Sequence, residues 1–251
     1  MKKIISCVVI VTMINTIIFG AFNQNILASV DYLGTYNQSN NFGIANDFNV
    51  FVLEDAVKGG ADSEGRFAVG GNATLGNFTN RANLIVGGNL ILSSNTVNQS
   101  GNTTYANSFV TNGYNLWHNG GSGQTTVKAS VIDFDSAKTH LQSLSVAWSG
   151  IADNSVSKNV NPYNQMYLVG NDPDLNVFNL NGENVLGSGK PLSALEIHIN
   201  VPHNSTILVN VSGANVGFSN FAMFINNSTP NGNSWGNKKL VWNIYEATDI
   251  S

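Results

Sequence analysis

The chain has 251 residues, 42% of them hydrophobic and only 10% charged, with 25 glycines and a net charge of −4. That composition supports a sizeable core but not a heavily charged surface, and asparagine alone supplies about one residue in six. Removing Lys2 and Lys3 with a leader takes the 11 basic residues to 9 against 15 acidic ones, a net of −6, which argues against a nucleic-acid partner because no basic patch is left to release counterions.

Residues 1–28 have the three parts of a Sec-type signal peptide: Lys2 and Lys3, the apolar run "IISCVVIVTMINTIIFGAF", and a small residue, Ala28, as cleavage position. The run approaches the length of a membrane anchor, but Asn15 interrupts it. The one cysteine, Cys7, lies inside the leader, so the mature chain is expected to hold no disulfide, thiol nucleophile or cysteine metal site. No membrane insertion of the mature chain is expected, and its place is outside the cell, secreted or at the cell surface. Residues 29–41 are a polar linker.

A single domain is expected over 42–251. It begins with the strand "DFNVFVLEDAV", with Phe48, Val50 and Val52 on one face. Val-Gly-Gly-Asn then occurs twice, in "EGRFAVGGNATLGNF" and "NLIVGGNLILSSN", so that Val69 and Val86 stand 17 positions apart. A fainter third copy, "SGNTTY", has Gly101 and Asn102 where Gly71 and Asn72 stood. A period of this length is that of one coil of a β-solenoid. In this reading Gly70, Gly71, Asn72, Gly87, Gly88 and Asn89 are structural: the glycines supply backbone with positive φ at the corners and the asparagines form a hydrogen-bonded ladder between coils. No phosphate-binding glycine pattern is present.

Residues 131–152 break the strand pattern. Ile132, Ala137, Leu141, Leu144, Trp148 and Ile151 recur at helical spacing, with Asp133 or Asp135 placed to cap the start. The apolar stripe is expected against a flank of the solenoid. Further strand-like runs follow, "QMYLVG", "LNVFNL", "ALEIHINV", "TILVNVSG", "GFSNFAMFIN" and "KLVWNIYEA", punctuated by all five prolines.

The motifs "FNVFVLEDAV", "SEGRFAVGGNATL", "NLIVGGNLIL", "DPDLNVFNLNG", "INVPHNSTILVNVSG" and "LVWNIYEAT", with the "DF" helix start, occur in the order found in the choice-of-anchor A family of bacterial surface domains, which the chain resembles over about residues 42–249. The resemblance implies an all-β fold, a right-handed parallel β-helix with one amphipathic α-helix alongside, and a cell-adhesion role sometimes labelled collagen-binding. It carries no catalytic residues over. Further strands and an anchor usually follow in the family, so the sequence is expected to lack a C-terminal coil, and the open edge of "KLVWNIYEA" is a candidate for self-association.

Candidate chemistry is sparse. His118, His140, His198 and His203 are scattered, and the pairs Asp62/Glu64, Asp133/Asp135 and Asp172/Asp174 suit turns and helix starts better than calcium or paired acid catalysis. No cofactor, metal site or catalytic residue is expected. Glu64 and Arg66 are candidates for a charge-assisted bridge that caps the first coil, or for a ligand contact. Tyr114, Trp117 and Trp235, in Gly- and Asn-rich loops, are candidate ligand contacts, with local packing as the alternative. The function expected is a non-catalytic surface adhesin that binds an extracellular matrix protein or polysaccharide. The alternatives are a carbohydrate-active β-helix enzyme, which needs a cluster of acids, and an ice-binding-like solenoid, which needs a regular Thr-x-Thr array.

Overall fold

A computed structural model describes residues 42–119, 123–218, 222–227 and 240–250. The predicted leader and linker, Cys7 and Trp235 lie outside the described residues. Within them the chain is mostly β, with one α-helix. It forms two compact units whose boundary falls inside that helix, between Leu141 and Gln142.

The first unit holds β1 (Val50–Val52), β2 (Ala56–Ser63), β3 (Phe67–Val69), β4 (Ala73–Asn80), β5 (Leu84–Val86), β6 (Leu90–Gln99), β7 (Thr103–Tyr105), β8 (Phe109–Val110), β9 (Asn115–His118), β10 (Thr126–Lys128) and the start of α1 (Phe134–Ser149). Strands β1, β3, β5, β7 and β10 form one parallel sheet. The longer strands β2, β4 and β6 form a second, in which β8 and β9 both pair with β6. The chain therefore climbs in tiers, and Val50, Phe67, Leu84, Thr103 and Thr126 stand one above another. Alternation along each strand sends Phe67, Val69, Leu75, Phe78, Leu84, Val86, Leu90, Leu92 and Val97 into one core. Val69 lies opposite Val86, both fully buried. In β1 the buried residue is Phe51, not Val50, which is 40% exposed; the Phe51 ring instead meets Phe134 of the helix at a centroid distance of 5.4 Å.

Each long strand turns once. Gly60, Asn77 and Asn95, with Asn112 after β8, adopt φ of 66°, 49°, 50° and 50° at successive tiers. Left-handed backbone is open to glycine and, among L residues, most readily to asparagine, whose side chain bonds locally. All non-glycine residues with positive φ among those described are asparagines except Leu186, which gives one physical reason for the asparagine-rich composition.

The repeated glycines work differently from the sequence expectation. Gly70, Gly71, Gly87 and Gly88 are not among the residues with positive φ. They are needed for room: a Cβ on Gly70 would lie 2.3 Å from the Leu53 oxygen, and one on Gly87 would lie 2.3 Å from the Gly70 oxygen and 3.0 Å from the Phe134 ring. The glycine column thus lets successive tiers approach and seats Phe134. The third copy is also displaced. Gly101 and Asn102 abut Ala82 and Asn83, at the corner before a short strand, whereas the tier partners of Gly87 and Gly88 are Ala106 and Asn107, whose amides bond the Val86 and Gly88 carbonyls. A similar string at a different corner had the same local signature.

Asp133 caps α1, as one of the two expected residues: its carboxylate accepts from Ser136 N at 3.1 Å and Ser136 Oγ at 2.9 Å. The Ser136 amide and hydroxyl hold the Asp133 carboxyl below its ordinary range. Ile132, Ala137, Leu141 and Leu144 are buried, with Trp148 and Ile151 half-buried.

The second unit holds β11 (Ser157–Val160), β12 (Gln165–Val169), β13 (Leu175–Asn181), β14 (Glu196–Asn200), β15 (Thr206–Ser212), β16 (Asn215–Val216), β17 (Met223–Ile225), β18 (Leu240–Ile244) and β19 (Asp249–Ile250). Three parallel ladders recur: β12–β14–β17, β13–β15–β18 and β16–β19. Strand β11 departs from the parallel expectation by pairing antiparallel with β12. Met166, Leu168, Phe178, Ile197, Ile199, Ile207, Val209 and Trp242 fill the core. Val177, Leu208 and Val241, on the other side of the central ladder, are buried too, which explains why these runs read as continuous apolar stretches.

Candidate functional site

In the first unit, the corner after the short strands carries a continuous polar ladder. Asn72 N donates to Asp55 Oδ1 at 2.6 Å, Asn89 N and Nδ2 donate to Asn72 Oδ1 at 2.9 and 2.8 Å, and Ser108 Oγ donates to Asn89 Oδ1 at 2.5 Å. Asn72 and Asn89 thus make the inter-tier bonds that the repeat suggested. Beside them, Val57, Thr74, Ile91 and Val110 stand in register and point away from the core, Val57 almost fully exposed. The result is a row of evenly spaced, uncharged side chains beside the ladder. Thr103 is fully buried and Thr104 stands on another sheet, so no outward Thr-x-Thr array forms among the described residues.

Glu64 does not pair with Arg66. Its partner is Arg81, one tier on, with Nε 2.9 Å from Glu64 Oε2 and Nη2 3.6 Å from Asp62. Arg66 and Glu64 are two residues apart at a corner, whereas Arg81 follows β4 directly above the end of β2, where its amide bonds the Ser63 carbonyl. The pair Asp62/Glu64 therefore converges on a guanidinium. Trp117 is exposed on β9, in the outward row Asp62, Thr79, Asn98, Trp117. Tyr114 is exposed in the preceding turn, its amide bonded to the Thr111 carbonyl.

Asp172 and His118 make local bonds. Asp172 Oδ1 accepts from Asp174 N at 2.8 Å and Leu175 N at 3.0 Å, and these bonds hold its carboxyl below the ordinary range. His118 Nε2 lies 2.9 Å from Thr126 Oγ1. His203 is exposed in a turn. No group of three or more potential metal-binding side chains occurs among the described residues.

The second unit brings together a constellation that the scattered histidines did not suggest. Tyr167, His198 and Phe224 occupy the outward position of β12, β14 and β17 in register, and their rings stack at 4.7 Å and 16°, then 4.7 Å and 9°. A polar network borders them. His198 Nε2 and Gln165 Nε2 donate to Glu196 Oε1 at 2.6 and 2.9 Å, while Tyr167 Oη and Asn161 Nδ2 donate to Gln165 Oε1 at 3.1 and 2.8 Å. The bonds from His198 and Gln165 hold the Glu196 carboxyl below its ordinary range. Asn161 Oδ1 fixes the turn by accepting from Tyr163 N and Gln165 N, leaving the Tyr163 side chain outside, at 83% exposure. The signal in the sequence is the third position of "QMY", "EIH" and the second of "MFI", visible only once the 31- and 26-residue spacings are paired.

Residues 41–251 match the family described as "Putative Ice-binding-like adhesive domain". No curated protein and no solved structure matches the chain.

Proposed function

Because the chain belongs to this family of ice-binding-like adhesive domains, we propose that it is a secreted, non-catalytic adhesin domain that holds an extracellular matrix protein or polysaccharide. The observation that carries the reading is the unbroken register of outward side chains, Val57–Thr74–Ile91–Val110 in one unit and Tyr167–His198–Phe224 in the other. Such faces engage a polymer through many weak contacts and gain strength when many copies sit on one cell. The in-phase tiers support reading the units as coils of a right-handed parallel β-helix, and the motif order supports a place near the choice-of-anchor A family.

The test uses the 251-residue chain expressed with its own leader in a Sec-competent bacterium and recovered from the medium. Retention on an immobilised polysaccharide or matrix protein, without new reducing ends in the polysaccharide, is the expected result. Retention on nothing, or turnover of a glycan, would overturn it.

A further inference from the structure

The outward face of β12, β14 and β17 carries three aromatic rings in one continuous stack, bordered by a carboxylate and carboxamides already locked to one another. We propose that this face, with Tyr163 at its border, is a binding site for an extended, uncharged, β-linked polysaccharide; this rests on the adhesive reading above.

Three features point to that ligand class. The hydrogen bonds among Asn161, Gln165, Tyr167, Glu196 and His198 fix the planar groups before any ligand arrives, so little side-chain entropy remains to be lost on binding. Both protein donors go to Glu196 Oε1, and Oε2 has no partner among the described residues, which leaves an ionised acceptor for a sugar hydroxyl. Tyr163 offers an open ring on which the C–H face of a hexose can lie, while the stacked Tyr167, His198 and Phe224 turn their faces to one another and their electropositive edges, which suit sugar oxygens, outward.

Charge and spacing narrow the class. The Glu196 carboxylate, ionised and in the middle of the polar network, disfavours uronate, sulfate or phosphate polymers. Parallel strands repeat at about 4.8 Å, close to the rise per sugar of an extended β-linked hexose ribbon. Three tiers would therefore present one ring each to successive sugars.

The test measures depletion of the full secreted chain by insoluble cellulose, with heparin and collagen as the anionic and protein arms, and compares Tyr163→Ala and Glu196→Gln with the exposed first-unit control Val131→Ala and with Trp117→Ala, the alternative ligand contact. Retention on cellulose is expected, falling roughly two- to tenfold for Tyr163→Ala and measurably for Glu196→Gln, with Val131→Ala unchanged and all four variants folded by thermal unfolding. Cellulose binding that survives both second-unit changes, or that is lost only in Trp117→Ala, would overturn the site. Retention on collagen or heparin alone would also overturn it while leaving the adhesive reading standing. Retention on none of the three would overturn the site, and retention on no immobilised polysaccharide or matrix protein would remove the adhesive reading as well.

Discussion

Asn210 Nδ2 lies 2.7 Å from the carbonyl oxygen of Trp148, near the end of α1, and 3.0 Å from Oδ1 of Asn179 on the adjacent strand. The relationship repeats. Asn243 Nδ2 reaches Ser145 O at 2.9 Å and Asn210 Oδ1 at 2.9 Å, and Asn179 Nδ2 reaches Ile151 O at 3.2 Å. Three residues of helix rise about 4.5 Å, nearly the interval of about 4.8 Å between strands, so successive asparagines meet carbonyls three residues apart, at Ser145 and Trp148 in α1 and at Ile151 just past its end. At Trp148 the asparagine bond adds to the one its carbonyl already accepts from Ile151 N at 3.1 Å.

Asn210 is buried, and its amide both donates and accepts within the ladder. Asn210→Leu is expected to destabilise the protein by about 1–3 kcal/mol by leaving Asn179 Oδ1 and one Asn243 amide hydrogen without their partner. Asn210→Asp should cost more, because an ionised carboxylate cannot donate to Trp148 O. Urea unfolding of the three proteins checks both the sign and the order.

If glycines of the repeat are required for space, Gly87→Ala and Gly113→Ala should part company. The Gly87 change drives a methyl into the Gly70 oxygen and should cost about 1–3 kcal/mol. At Gly113 φ is 82° with nothing within 4 Å of a Cβ, so backbone strain alone acts, on the order of 1 kcal/mol. Equal losses in thermal unfolding would return the repeat glycines to a conformational role.

Asp153 predicts an acid-labile contribution. Burial pushes its carboxyl up, but the Asn179 amide, Lys158 and Ser155 outweigh that and bring it down to about 2. With the folded value below the ordinary one, the stabilisation is fully present above about pH 4 and is lost as pH falls toward 2. Roughly 1–2 kcal/mol is at stake for this partly exposed group. Asp153→Asn should flatten that part of the stability profile, measured by denaturant midpoints from pH 5 to 2.

The Glu64 pairing yields a comparison of arginines. Arg81→Ala should lower stability by less than about 1 kcal/mol, with the difference shrinking in high salt, as for an exposed ion pair. Arg66→Ala should leave the salt dependence as it is. Parallel thermal melts at low and high salt would reverse the assignment if Arg66 proved the sensitive position.

Much of the tiered arrangement was legible because period and alternation are local properties: Val69 opposite Val86, the α1 stripe and the Asp133 cap all follow from spacing. What was not legible depends on chain segments far apart. Glu64 meets Arg81 because a tier returns there after 17 residues, not because of nearness in sequence. Gly101–Asn102 resembled Gly71–Asn72 in composition, and only the strand register separates the two corners. The Tyr167–His198–Phe224 row eluded a search for metal-binding histidine spacing because its members belong to different residue types and unequal spacings. Trp235, chosen for its loop context, lies outside the described residues.

Between β4 and β6 the tier separation grows from 17 at Leu75–Leu92, to 18 at Gly76–Ser94, to 19 at Phe78–Val97. Both extra residues are absorbed beside the left-handed bend at Asn95, and the rows on either side keep their partners. That bend is therefore a seam where chain length is free to vary while the lateral pattern of each face is kept. A short foreign peptide spliced between Ser93 and Thr96 would accordingly be displayed at a tier edge with the rows on either side undisturbed.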